Sequence, residues 1–152
     1  MGNPESIVLS LLVLISLPPY QWAHAVKQDM LFTDYHIRIA NDLPNDIFHL
    51  PSPNEPQLFI HCKSGDRDIG PKPMLNGGVY TFDTKINFFR TTLFFCFARW
   101  ENFHKEGRFD LFKATRDEDR CLKHQHTYFW SVRSDGFYFS NNNETWRDEY
   151  PW

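Results

Sequence analysis

The sequence predicts an all-β fold, a small antiparallel β-sandwich that contains a disulfide, and three observations point there. Short apolar runs of period two recur along the chain, while no window sustains a helical period. Clusters of Gly, Pro, Asn and Asp, the residues that favour turns, separate those runs. The segment TYFWSVRSDGFYFS, residues 127–140, sets Asp135-Gly136 between two alternating runs, the signature of a hairpin with a two-residue type I′ loop.

The first residues stand apart from that pattern. Ile7 to Leu17 form an apolar stretch of eleven residues, followed by Pro18-Pro19 and the small-residue site Ala23-His24-Ala25. This is the layout of a secretory signal peptide, although its n-region carries Glu5 and neither Lys nor Arg. Such a stretch falls short of the roughly 20 residues that cross a bilayer core. Residues 1–25 are therefore expected to be a signal peptide, and residues 26–152 a secreted, extracellular chain without direct membrane insertion. That chain is long enough for one domain, which would bury roughly two thirds of its unfolded surface.

The mature part keeps 16 basic and 18 acidic residues, because residues 1–25 hold one acid and no Lys or Arg. Its basic residues are scattered beside acids, so the electrostatic footprint of a nucleic-acid binder is missing. The run Arg116-Asp117-Glu118-Asp119-Arg120 reads as a solvated face or loop.

The strands follow in order. Tyr35, Ile37 and Ile39 alternate with His36, Arg38 and Ala40, up to the turn formers Asn41 to Asp46. Three prolines between Pro51 and Pro56 make a loop that leads into a second strand, Gln57 to Lys63. Ser64 to Pro71 is turn-rich, and strand character returns at Val79 to Phe82. Thr91 to Arg99 is apolar on both sides, Leu93, Phe95 and Phe97 on one and Phe94, Cys96 and Ala98 on the other, and is expected to be buried on both faces. Arg108 to Lys113 forms a shorter strand. In the final hairpin, Ser134 opposite Phe137 would put Trp130, Val132, Phe137 and Phe139 on one face. The 24 aromatic residues left after cleavage supply large buried areas for a small core.

Three residue patterns bear on chemistry. His61, Cys62, Asp66 and Asp68 contain ligand-type side chains, but neighbours in a strand point to opposite faces, so His61 and Cys62 diverge. Cys121, His124 and His126 give a partial ligand string without a fourth member. G-x-S-x-G, H-E-x-x-H and a phosphate-cradling glycine loop do not occur. The expectation is a protein that is not an enzyme, with no catalytic residues, metal or cofactor. Cys62, Cys96 and Cys121 enter an oxidising compartment, where one pair and one free thiol result, and three pairings are open. Asn143-Glu144-Thr145 is a glycosylation acceptor in a polar segment.

Several landmarks then fall together: Ile37-x-Ile39-x-Asn41-x-Leu43, HCKSGDRDIG from His61, TTLFFCFARW from Thr91, Cys121, and FWSVRSDGFYF from Phe129. In order and spacing they resemble the plant self-incompatibility S-protein homologue family, over nearly all of the mature chain. The resemblance implies a secreted β-sandwich. It also implies a ligand-like role, since the founding members are pistil proteins that recognise a membrane protein on pollen and trigger calcium signalling and growth arrest. The implied partner is an unidentified membrane protein or cell-surface receptor, met by a monomer in self-incompatibility or related cell-cell signalling. A carbohydrate-binding defence module, or an enzyme directed at cell wall or RNA, is the alternative.

Two departures are visible. The family usually has a cysteine where Tyr128 stands, and often a glycine where Arg90-Thr91 stand. The resemblance implies that Tyr128 replaces the partner of Cys62, leaving a Cys96–Cys121 bridge and a free Cys62. Because a sandwich spends its strand residues on the core, recognition is expected in the loops Ser64 to Gly70 and Glu118 to His126. The candidates are Asp66, Arg67, Asp68, Lys123 and His124, with Asp66 and Asp68 also able simply to fix their turn.

The first expected outcome concerns processing. Mass spectrometry of protein exported by a glycosylating host should find Val26 as the first residue and a glycan that Asn143→Gln removes. Retention of Met1 would contradict cleavage, and an unchanged mass of the wild-type protein on deglycosylation would contradict occupancy.

Overall fold

The computed structural model describes residues 33–45, 55–87, 89–121 and 124–152. The expected signal peptide, most of the proline-rich loop and Lys123 lie outside them. Nine strands follow in order: β1 (Tyr35–Asn41), β2 (Leu58–Lys63), β3 (Asp68–Met74), β4 (Val79–Thr84), β5 (Leu93–Trp100), β6 (Lys105–Lys113), β7 (Thr127–Val132), β8 (Gly136–Ser140) and β9 (Arg147–Pro151). A 3-10 turn spans Glu101–Phe103, and one helical turn, α1, spans Ala114–Asp117.

The strands form two sheets, a five-stranded one ordered β4-β1-β7-β8-β9 and a four-stranded one ordered β3-β2-β5-β6. The pairings are antiparallel except that β1 and β7 run parallel at the centre of the larger sheet. Period-two alternation sorts the side chains as expected: Tyr35, Ile37 and Ile39 of β1 are buried, while His36 and Arg38 face solvent. Aromatic rings join the two inner faces. Phe109 of β6 stacks on Phe137 of β8 at 4.3 Å, Phe112 meets Tyr128 edge-on at 5.3 Å, and Phe82 meets Phe94 at 5.5 Å. Asn41 is a buried polar group whose Nδ2 donates to the Met74 and Leu75 carbonyls and whose Oδ1 accepts from Leu43 N–H. So satisfied, it ties the end of β1 to the β3–β4 turn without an unpaired-group cost.

Several expectations change. The disulfide joins Cys62 to Cys96, and Cys121 is the free, buried cysteine, which corrects the expected Cys96–Cys121 bridge and free Cys62. The β2–β5 register places Cys62 directly opposite Cys96 with both side chains on the inner face and Cα atoms 4.0 Å apart. Cys121 lies instead against the Tyr128 hydroxyl, and burial pushes its thiol up to about 12. The side chain standing where the family has a cysteine is thus the neighbour of Cys121 and not of Cys62.

Strand β5 is buried on one face only: Phe94, Cys96, Ala98 and Trp100 point inward, while Phe97 and Arg99 are exposed. The segment after Gly65 is not all turn, because β3 begins at Asp68 and runs through Pro71 and Pro73, which suit an edge strand. In the final hairpin Val132 pairs with Phe137 and Trp130 with Phe139, two residues from the expected register, and Arg133 N–H donates to the Gly136 carbonyl. A two-residue shift preserves faces, so all four apolar side chains still point inward. Gly136 has no positive φ and serves another purpose: a Cβ there would lie 2.5 Å from the Tyr150 carbonyl oxygen of β9. Strand β9 itself, RDEYP, escapes sequence analysis because it lacks apolar alternation.

Cysteine accessibility checks the corrected pairing. Alkylation without reductant should leave all three cysteines unlabelled in the native protein and label Cys121 alone after unfolding. Removing the bridge with Cys62→Ala and Cys96→Ala together should lower stability by about 2–4 kcal/mol, read from urea unfolding. Labelling of Cys62 without reductant would contradict the assignment.

Candidate functional site

The two loops singled out by sequence lie at the same end of the sandwich. That end carries the β2–β3 turn, the β4–β5 connection and the β6–β7 connection, and interlocking polar contacts join them. Ser64 nucleates the first turn: its N–H donates to the Arg67 carbonyl at 2.7 Å, its hydroxyl donates to Asp66 Oδ1 at 2.6 Å, and Arg67 N–H donates back to that hydroxyl. Asp68 Oδ1 accepts from Gly70 N–H at 2.7 Å and lies 2.6 Å from His61 Nε2. The His61 hydrogen bond, then that of Gly70, hold the Asp68 carboxyl below its ordinary value. Gly70 occupies the left-handed region, φ 74°, which glycine enters without steric cost. Asp66 and Asp68 therefore do fix the turn.

Arg67 is presented differently. Its Nη1 donates to the Asp83 carbonyl at 2.7 Å, which anchors the guanidinium across to the edge of β4, and the side chain is otherwise exposed and without a carboxylate partner among the described residues. Asp83 carries its own carboxylate to His36 Nδ1 at 2.7 Å, and Lys85 lies 3.5 Å from Asp34. Arg67, Asp83, Lys85 and Asp34, together with Thr91 to Phe95, line an open cleft of about 900 Å³, within the range of ligand pockets. Its charges are of both signs, and a cluster of metal-ligating side chains is absent among the described residues.

The second loop is built around a buried carboxylate. Asp117 is fully buried, contrary to the solvated face expected for residues 116–120. Arg116 donates to both its oxygens at 2.7 and 2.8 Å, Arg120 to Oδ1 at 2.8 Å, and Lys113 N–H to Oδ2 at 2.7 Å. These four charge-assisted bonds replace the water that burial removes. Arg116 continues to the Asp110 carbonyl and the Tyr150 hydroxyl, and Arg120 to Glu149, so the loop is bolted to β6 and β9. Arg90 reaches Glu118 from the β4–β5 connection. His124 is exposed on this framework, while Gln125 and His126 are both left-handed, φ 52° and 55°, as the chain turns into β7. His61 and Cys62 point to opposite faces, as their strand requires, and Asn143 is exposed.

Sequence reasoning found the two loops but missed Asp83, Lys85 and Asp34, which the topology alone brings beside Arg67. Nothing local to those residues signals it, since they lie on β4, just after it and ahead of β1, distant in the chain.

Known proteins share this architecture and sequence. Residues 36–152 match the family model described as plant self-incompatibility protein S1. The chain is 38% identical over 112 residues to S-protein homolog 20 of Arabidopsis thaliana, covering 72% of this chain and 76% of that one. Its identity to self-incompatibility protein S1 of Papaver rhoeas is 32% over 96 residues, 62% of this chain and 66% of the other. Among solved structures, one of SPH (self-incompatibility protein homologue) proteins, described as small, highly stable, secreted proteins from plants, superposes with a TM-score of 0.53 at 22% identity. It covers 79% of this chain and 95% of that one, and the likeness establishes the fold.

The buried carboxylate gives this site its own test. Asp117→Ala would leave Arg116 and Arg120 facing each other without their shared acid, and should cost on the order of 3 kcal/mol in urea unfolding. A loss below about 0.5 kcal/mol, the scale of ordinary surface substitutions, would mean that the cluster does not hold the loop.

Proposed function

The chain belongs to the plant self-incompatibility protein S1 family, and from that premise we propose that it is a secreted plant protein acting as an extracellular ligand for a cell-surface partner. It serves self-incompatibility or related cell-cell signalling, as a monomer, and binds rather than catalyses. The observation that carries this reading is the arrangement of Arg67. Its guanidinium is anchored at one end to the Asp83 carbonyl and exposed at the other, on a turn whose own hydrogen bonds are complete. A rigid, half-free guanidinium suits bidentate recognition of a partner's carboxylate better than a freely moving side chain does.

The β6–β7 connection supports the same surface. Its buried end is fixed by Asp117, and His124 is exposed beyond it, so a recognition group is offered on a hydrogen-bonded scaffold. Asp66 and Asp68 contribute by shaping the turn, and through it the position of Arg67.

Binding to plant cell-surface membranes tests the proposal. Arg67→Ala, Lys123→Ala and His124→Ala combined should weaken binding at least tenfold, while stability changes by less than about 0.5 kcal/mol per exposed position. Full binding by the folded triple variant would move recognition elsewhere. Reproducible turnover of a wall polymer or RNA by purified protein would defeat the ligand reading.

A further inference from the structure

A different surface stands out once the strands are placed. An exposed face of an antiparallel sheet is normally polar, yet the outward face of the four-stranded sheet carries Phe59 on β2 and Phe95 and Phe97 on β5, with Pro71 and Pro73 on the β3 edge. Phe97 is 45% exposed, and its ring meets that of Phe95 edge-on at 5.8 Å. Between Phe59, Phe97 and Pro71 lies a shallow depression of about 490 Å³.

Cations surround these rings. Because β5 lies between β2 and β6, the Phe95–Phe97 pair has a cation from each side: Lys63 Nζ lies 5.9 and 6.0 Å from the two ring centres, and the Arg108 guanidinium 4.3 and 5.6 Å. Arg99 covers Phe59 at 5.2 Å. Not all of this charge is available, since Arg99 pairs with Glu101 at 2.9 Å and Asp68 with His61. Glu106 and Asp110 stand on β6 of the same face, but neither they nor any other described acid forms an ion pair with Lys63 or Arg108. Two like charges thus converge on one pair of aromatic rings without an ion pair among the described residues, while Asp68 stands opposite Lys63 across β2–β3 and Asp110 opposite Phe95 across β5–β6.

We propose that this face, centred on Phe95, Phe97, Lys63 and Arg108, is a docking surface for a protein partner that presents acidic side chains around an apolar one. A guanidinium stacked on a ring is held in place while its N–H edge stays open to a carboxylate. The depression beside Phe97 takes the apolar side chain. Aromatic residues and arginine are also the residues enriched at the centres of protein interfaces. The strand sequence agrees: β5 is apolar on both sides, which suits a strand covered on both, and the fold covers one. The inference rests on the ligand reading above for the identity of the partner, but it names a surface on the sheet and not on the loops.

Two measurements test it. In NMR titration of the purified protein with a synthetic peptide of alternating glutamate and leucine, the amides of Phe95, Phe97 and Arg108 should shift. Apparent affinity should fall at least fivefold in Arg108→Gln and in Phe97→Ser, and less in Arg108→Lys. Shifts at this face with polygalacturonate and not with the peptide would assign it to an acidic sugar polymer and overturn the proposal, as would peptide binding elsewhere. In the membrane-binding assay, folded Phe97→Ser and Arg108→Gln should each bind at least tenfold more weakly than the wild type. Equal binding by wild type and variants would overturn this inference and leave the ligand reading standing. Failure of the wild type to bind would remove that reading, and the peptide titration alone would then decide the face.

Discussion

The carboxylate of Asp117 is the point on which the two-sheet arrangement turns. The chain must cross from β6 in one sheet to β7 at the centre of the other, and the crossing is short of apolar residues with which to secure itself. A buried ion cluster does it instead. Arg116 and Arg120 approach Asp117 from its own helical turn and beyond, and then carry the contact outward to Asp110, Tyr150 and Glu149. The Tyr128 hydroxyl donates to the Asp117 carbonyl, which fixes the first residues of β7. Burying such a cluster costs desolvation, and full hydrogen bonding is what offsets it.

Strand β9 depends on the same cluster. It is rich in charge and sits at a sheet edge, where Glu149 with Arg120 and Tyr150 with Arg116 add to its ladder with β8 and to the packing of the Tyr150 ring on Trp130. The C-terminal Trp152 then closes over Phe137 at 4.7 Å and donates its Nε1–H to the Arg133 carbonyl. One local acid therefore secures the crossing and, through Arg116 and Arg120, reaches strand β9. The disulfide acts elsewhere, cross-linking neighbouring strands of the smaller sheet where their register is already set by the ladder.

The division of labour between the two ends of each strand and its two faces follows from this frame. Inner faces are filled by interlocking rings, so they have no capacity left for recognition. What remains is the loop end, where backbone hydrogen bonds hold Arg67 and the β6–β7 connection in place, and the outward face of the four-stranded sheet, where rings and cations stand in the open.

The sequence by itself determined the all-β class, most of the strands, and the buried faces of β1 and of the final hairpin, because side-chain alternation is a local property with a period of two. It also located the loops of the candidate site, and the inward set Trp130, Val132, Phe137 and Phe139 survived even a two-residue error in register. Tertiary structure alone decided which cysteines meet, that Asp117 is buried, that β1 and β7 lie parallel, that Asp83 stands beside Arg67, and that one side of β5 is left open. Each of these depends on how segments far apart in the chain are paired and stacked. Such pairings are set by the summed packing of two whole sheets, and the residues of any one strand carry no record of them.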